Sequence, residues 1–222
     1  MDISVTSIVP YICPSCGGTG KFEMDSHVYS TDSNRRGKVL TGELFLKKCP
    51  YCGKLLRLNY NFGYEDIEHK FQILYSPFEC EDITNLMKEV FPDDRWGILK
   101  KMGKTFRTVD SLHALREKIL VFEEGLNDIA IELSKVMIKK NKKFSIHANS
   151  ELRFEKYMRN DDDSSKGQLM FRHYIENHLQ KDLIAYDKDS YDILLYEVLS
   201  NDKYKKPIFY ETIDEKWILT RI

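Results

Sequence analysis

The sequence predicts an α+β protein on three observations: strand-like alternation towards both ends of the chain, a helix-like period between them, and one cysteine knuckle repeated near the N-terminus. Phe22 and Met24 alternate with polar neighbours, and so do Leu44 and Leu46. This two-residue period predicts an N-terminal β module, with the polar stretch 30–37 as the far loop of a hairpin between the knuckles. Phe71, Ile73 and Tyr75 fall on one face of a further strand, which Pro77 stops. The period then lengthens. Ile83, Leu86, Met87 and Val90 recur at helical spacing up to Pro92. After an extended piece at 106–109, Asp110 and Ser111 offer a cap to a helix carrying Leu112, Leu115, Ile119 and Phe122. Gly125 interrupts it, and a second helix from Asn127 carries Ile129, Leu133, Val136 and Met137 into the lysines of 139–143. Cations there suit a helix C-terminus better than a nucleic-acid contact.

Alternation returns at 152–158 and 168–174, on either side of the acidic loop 161–165. A helix over 191–199, capped by Asp189 or Ser190, leads to a closing hairpin of 208–212 and 216–222 turned at Asp214 and Glu215. The expected organisation is therefore a zinc-ribbon-like β module with an amphipathic helical block over 1–145, followed by a small β-rich part over 146–222.

Bulk composition limits what such a chain does. Its 222 residues, 42% of them hydrophobic, suffice for a real core. With 34 basic and 35 acidic side chains the net charge is −1, so no global field attracts nucleic acid or an anionic membrane. Residues 1–10 lack a cationic flank followed by an apolar run, and no 18 consecutive apolar residues occur anywhere, so a cytoplasmic location is expected. Five cysteines, four of them in tight pairs, fit a reducing compartment and metal chemistry rather than a disulfide framework.

Cys13-Pro14-Ser15-Cys16-Gly17 and Cys49-Pro50-Tyr51-Cys52-Gly53 repeat one pattern in which each position has a reason. Two intervening residues let both thiolates reach a tetrahedral metal at about 2.3 Å. Proline preorganises the turn, and the trailing glycine takes a positive φ that lets backbone amides face sulfur. Cys13, Cys16, Cys49 and Cys52 are thus expected to hold one structural zinc ion. Redox cycling of each pair is the competing reading, but such a motif usually occurs once, at the start of a helix. A closed four-sulfur site offers no position for water or substrate, so no catalytic residue is assigned to it. Lys47, Lys48 and Lys54 flank the second knuckle, where they offset the −2 charge of four thiolates around a dication. Cys80 reads as a small buried hydrophobe.

Beyond the knuckles the chain resembles the CpXC family, named for paired Cys-Pro-x-Cys motifs. The resemblance runs through Tyr64-Glu65-Asp66-Ile67-Glu68-His69-Lys70-Phe71, Arg107-Thr108-Val109-Asp110-Ser111, Leu115-Arg116-Glu117-Lys118-Ile119 and Phe122-Glu123-Glu124-Gly125-Leu126-Asn127-Asp128, covering most of 11–140. It implies a metal-binding domain and brings no activity with it. Where the family has Tyr-His-Asp, this chain has Tyr64-Glu65-Asp66, which removes an imidazole.

Three functions follow as expectations. The first is a non-catalytic scaffold for a protein partner. The second is a nucleic-acid-binding accessory protein using the basic residues between Arg35 and Arg57 together with Arg95, Lys100, Lys101, Lys104 and Arg107. The third is an enzyme in which Tyr64, Asp66 and Lys70 converge. His173, Glu176 and His178 lack metalloprotease spacing, and Asp187, Asp189 and Asp192 fail as a calcium loop because Val198 stands where the bidentate glutamate belongs.

Overall fold

A computed structural model describes residues 5–78, 103–144, 146, 150–160, 166–175, 178–204 and 210–222. The expected helix over 81–92, the acidic loop, Cys80, Arg95, Lys100, Lys101 and Glu176 lie outside them. The chain divides into two compact units, Met1–Arg116 and Glu117–Ile222, and the expected division after 145 falls within the second.

The first unit is built on a five-stranded mixed sheet in the order β1-β2-β5-β6-β7. Strands β1 (Val5–Ile12) and β2 (Thr19–Tyr29) pair antiparallel across the first knuckle. β2 then runs parallel to β5 (Phe62–Asp66), which turns back into β6 (Phe71–Tyr75), and β6 runs parallel to β7 (Thr105–Val109). Every residue of β6 is buried, so the strand has core on both faces rather than the single apolar face its alternation predicts.

Residues 30–37 are not a hairpin loop. Ser33–Thr41 forms helix α1, whose Asp32 cap accepts from the Arg35 amide while the Arg35 guanidinium reaches Asp32 at 2.7 Å and Asp25 at 3.2 Å. Val39 is the one residue α1 buries, so no apolar period announces it, and the cap carries the signal instead. A short 3₁₀ turn, Glu43–Phe45, buries both Leu44 and Phe45 and replaces the first half of the expected strand. The rest, β3 (Leu46–Lys48), pairs with β4 (Leu55–Arg57) across the second knuckle. Each knuckle therefore closes its own hairpin.

Helix α2 (Leu112–Glu123) spans the division, and Ser111 faces its first turn as expected. In the second unit, α3 (Asp128–Lys140) begins at the Asn127 cap and is buried over 128–136 and at 138, leaving Met137 partly exposed. It packs with a three-stranded antiparallel sheet of β8 (Glu151–Arg159), β9 (Gly167–Ile175) and β10 (His178–Asp187), with β9 in the centre. Strand β10 had no counterpart in the sequence reading. Helix α4 (Lys188–Ser200) starts from the Asp187 cap, three residues earlier than its apolar period predicts. The expected final strand over 216–222 is instead helix α5 (Glu215–Leu219): Asp214 caps it by accepting from the Trp217 amide, and Trp217 and Ile218 enter the core. Asp214 and Glu215 open a helix because an aspartate followed by an acidic first turn stabilises an N-terminus.

Among the described residues of this unit, five charged side chains are buried. The Lys118 ammonium lies 3.4 Å from Asp128 and 3.2 Å from Glu132, while Lys135 lies 2.8 Å from Glu117 and 3.1 Å from Glu132. Glu117 also accepts from the Phe154 amide. These charges, on the helical block and on α3, tie α2, α3 and β8 together.

Candidate metal centre

The two knuckles are superimposable in their hydrogen bonds. Cys13 donates its amide to the Gly18 carbonyl at 2.8 Å and accepts from the Gly17 amide at 2.9 Å; Cys49 donates to Lys54 at 2.8 Å and accepts from Gly53 at 2.9 Å. Gly17 at φ 70° and Gly53 at φ 73° occupy the left-handed region that the repeated motif anticipates. The second knuckle leans on the first, because Tyr51 donates its hydroxyl to the Thr19 carbonyl at 3.3 Å, and a Cβ at Gly18 would meet its ring at 2.5 Å.

This places the four sulfurs around one point. The Cys13 and Cys52 sulfurs are 3.7 Å apart, those of Cys16 and Cys49 are 3.8 Å apart, and all four lie within 4.8 Å of one another. A tetrahedron with metal–sulfur bonds of about 2.3 Å has an edge of about 3.8 Å, so the cysteines fit one metal ion. Both short contacts cross between knuckles, which is a shared centre and not two separate dithiols. Cys13 and Cys49 are buried, whereas Cys16 and Cys52 face solvent.

The backbone amides and the neighbouring sulfurs act on the thiols in opposite directions. The Ser15 amide, with that of Cys16, pulls the Cys13 thiol down to about 6 against the cost of burial. The Gly18 amide acts the same way on Cys16, but burial and three neighbouring sulfurs push that thiol up to about 12. Four thiols crowded together cannot all ionise unaided. A bound dication would supply what is missing, because Cys13, Cys16, Cys49 and Cys52 would hold it as thiolates with their protons released.

The other expected sites are not assembled. Tyr64 is 0% exposed and stacks on Phe71 in the core, whereas Lys70 is exposed at φ 56° in the turn between β5 and β6. Asp66 accepts from the His69 amide at 2.8 Å and pairs with the His69 Nδ1 at 3.0 Å; these partners hold its carboxyl below the usual range although burial alone would raise it. It is a turn cap and not an acid–base group. Among the expected nucleic-acid contacts, Arg35 is engaged by Asp25 and Asp32, Lys104 by Glu65, and Arg107 is 1% exposed. His173 and His178 stand on different strands.

A polar cluster with no signal in the residue spacing lies on the large sheet. Glu65 accepts from Gln72 at 2.6 Å and from Lys104 at 2.5 Å, and its other oxygen contact is the His27 Nε2 at 3.4 Å. Burial would raise the Glu65 carboxyl, but these donors hold it at about 2. Lys104 gains less, since burial lowers its pKa despite Glu65. The cluster thus fixes strand neighbours more than it adds net stability. For Glu65, a folded pKa below the unfolded 4.5 means stability present above pH 4.5 and lost as pH falls towards 2. Glu65→Gln is expected to flatten that acid limb, read as the unfolding midpoint in urea at successive pH values; an unchanged acid limb would contradict the pairing.

The paired hairpins, the four converging sulfurs and their amide-lined knuckles define a protein of mixed α+β architecture whose four-cysteine cluster fits one metal ion. The chain belongs to the CpXC protein family, which matches residues 11–135. No curated protein and no solved structure matches it. The matched segment runs from the first knuckle into α3, so it includes the four-cysteine cluster and the buried charge network.

Proposed function

We propose that this chain is a zinc-stapled, non-catalytic scaffold that presents the rigid end of its ribbon to a protein partner in the cytoplasm. The observation that carries this reading is the closed set of four sulfurs at tetrahedral spacing, which leaves a bound ion no open position for substrate. Zinc suits a tetrahedral four-thiolate set, and the alternative for such a set is iron. Free thiols of this kind persist in a reducing compartment. No helix among the described residues is long and apolar enough to cross a membrane. Scaffolding follows because the matched knuckles hold their own backbone and one another, giving shape without reactivity.

Elemental analysis of the purified chain with native mass spectrometry tests the assignment. The expected result is one zinc per chain, with the four thiols protected from alkylation while the metal is bound. One iron per chain, or retention of a full set of alkylatable thiols in metal-containing buffer, would overturn it.

A further inference from the structure

We propose that the outer face of the second knuckle, residues 48–57 together with Ile12, is the docking surface, and that its partner is an acidic peptide segment with apolar anchors. This inference rests on the scaffold reading and locates its working face. Around the metal centre Ile12 is 74% exposed, Tyr51 69% and Leu55 60%, although each is large and apolar. The pairings bring them to one end of the ribbon: Ile12 lies opposite Thr19, whose carbonyl accepts from Tyr51, and Leu55 lies opposite Lys48. Exposed apolar groups clustered on rigid backbone are unusual for a surface that stays in water.

Their surroundings are cationic. In the β3–β4 ladder Leu46 faces Arg57 and Lys48 faces Leu55, so Lys48, Leu55 and Arg57 share the face opposite the buried Leu56. Lys21, Lys48, Lys54 and Arg57 are exposed and, among the described residues, none forms an ion pair. A dianionic thiolate centre offsets at most two of these four charges. The excess is complementary to carboxylates, and the aliphatic Ile12 and Leu55 favour side chains over nucleobases, which would ask for more stacking surfaces than Tyr51 alone.

The test uses the full-length, zinc-loaded chain as bait for a library of short random peptides. Enrichment of peptides with net negative charge and several leucine, isoleucine, phenylalanine or tryptophan residues is expected. A synthetic member should lose about tenfold or more in affinity to Tyr51→Ala, and a similar factor to combined Lys48→Glu, Lys54→Glu and Arg57→Glu. All four residues are exposed, so melting temperature and zinc content serve as controls for folding. Neutral or basic peptides, binding indifferent to these variants, or a single-stranded oligonucleotide that binds more tightly through the same residues would each overturn the proposal. Peptides that bind the zinc-loaded chain elsewhere overturn this surface while leaving the scaffold reading intact; loss of zinc from the unaltered chain is what removes that reading.

Discussion

Chelation of the metal is expected to collapse both knuckle hairpins and lower the melting temperature of the first unit, while the core of the second unit persists. Metal binding of this type contributes about 10–16 kcal/mol in small zinc domains, the same order as the whole stability of an ordinary domain. Here the first unit also has its five-stranded sheet, so the loss concentrates where backbone order depends on the sulfurs. Hydrogen exchange should accelerate most at the Gly17, Cys13, Gly53 and Cys49 amides, whose bonds close the knuckles. Cys13→Ser and Cys49→Ser should cost more than Cys16→Ser and Cys52→Ser, because the first pair is buried and the second is wet. A chelated protein with unchanged melting and unchanged exchange at these amides would refute the structural role of the metal.

The centre was legible because its requirements are local. Two intervening residues, a proline and a positive-φ glycine are properties of five consecutive positions, and both copies fold as the motif predicts. Helices α2 and α3 were legible for a similar reason, since Ser111 and Asn127 mark their starts and an apolar period follows. What failed was pairing. Alternation at 44–46 suggested a partner for β2, yet β2 pairs with β1 and β5, whose identity depends on contacts distant in sequence. Helix α5 has no period of its own in the sequence, because Trp217 and Ile218 are adjacent apolar residues, which five positions cannot assign to either pattern. The Glu65 cluster draws on His27 of β2, Gln72 of β6 and Lys104 just before β7, and no spacing rule joins them. Tyr64, Asp66 and Lys70 illustrate the converse, for although close in sequence the first two are buried in β5 while Lys70 is exposed in the turn that follows.

Lys135→Met is expected to destabilise the second unit by about 3–5 kcal/mol, as removal of one partner from a buried ion pair does. Lys135 is the ammonium between Glu117 and Glu132, so its loss leaves two buried carboxylates facing each other, with Lys118 committed to Asp128 and Glu132 and Arg153 of β8 adding a further positive field at Glu117. Burial already pushes the Glu117 carboxyl up, and Lys135 is what opposes that push most. The pH dependence follows from the sign. A carboxyl whose folded pKa lies above 4.5 contributes stability below that value and loses it as pH rises through the folded pKa, so the parent gains somewhat on acidification and the variant, which has lost the charge that opposes the shift most, should gain more. Adding Glu117→Gln should restore much of the loss at neutral pH, because the amide oxygen still accepts from Phe154 without bringing a charge. Urea unfolding at neutral and mildly acid pH separates these outcomes. Equal losses for the single and double variants would mean that Lys135 acts through packing of its aliphatic stem, and the network would then be incidental to how α2, α3 and β8 are joined.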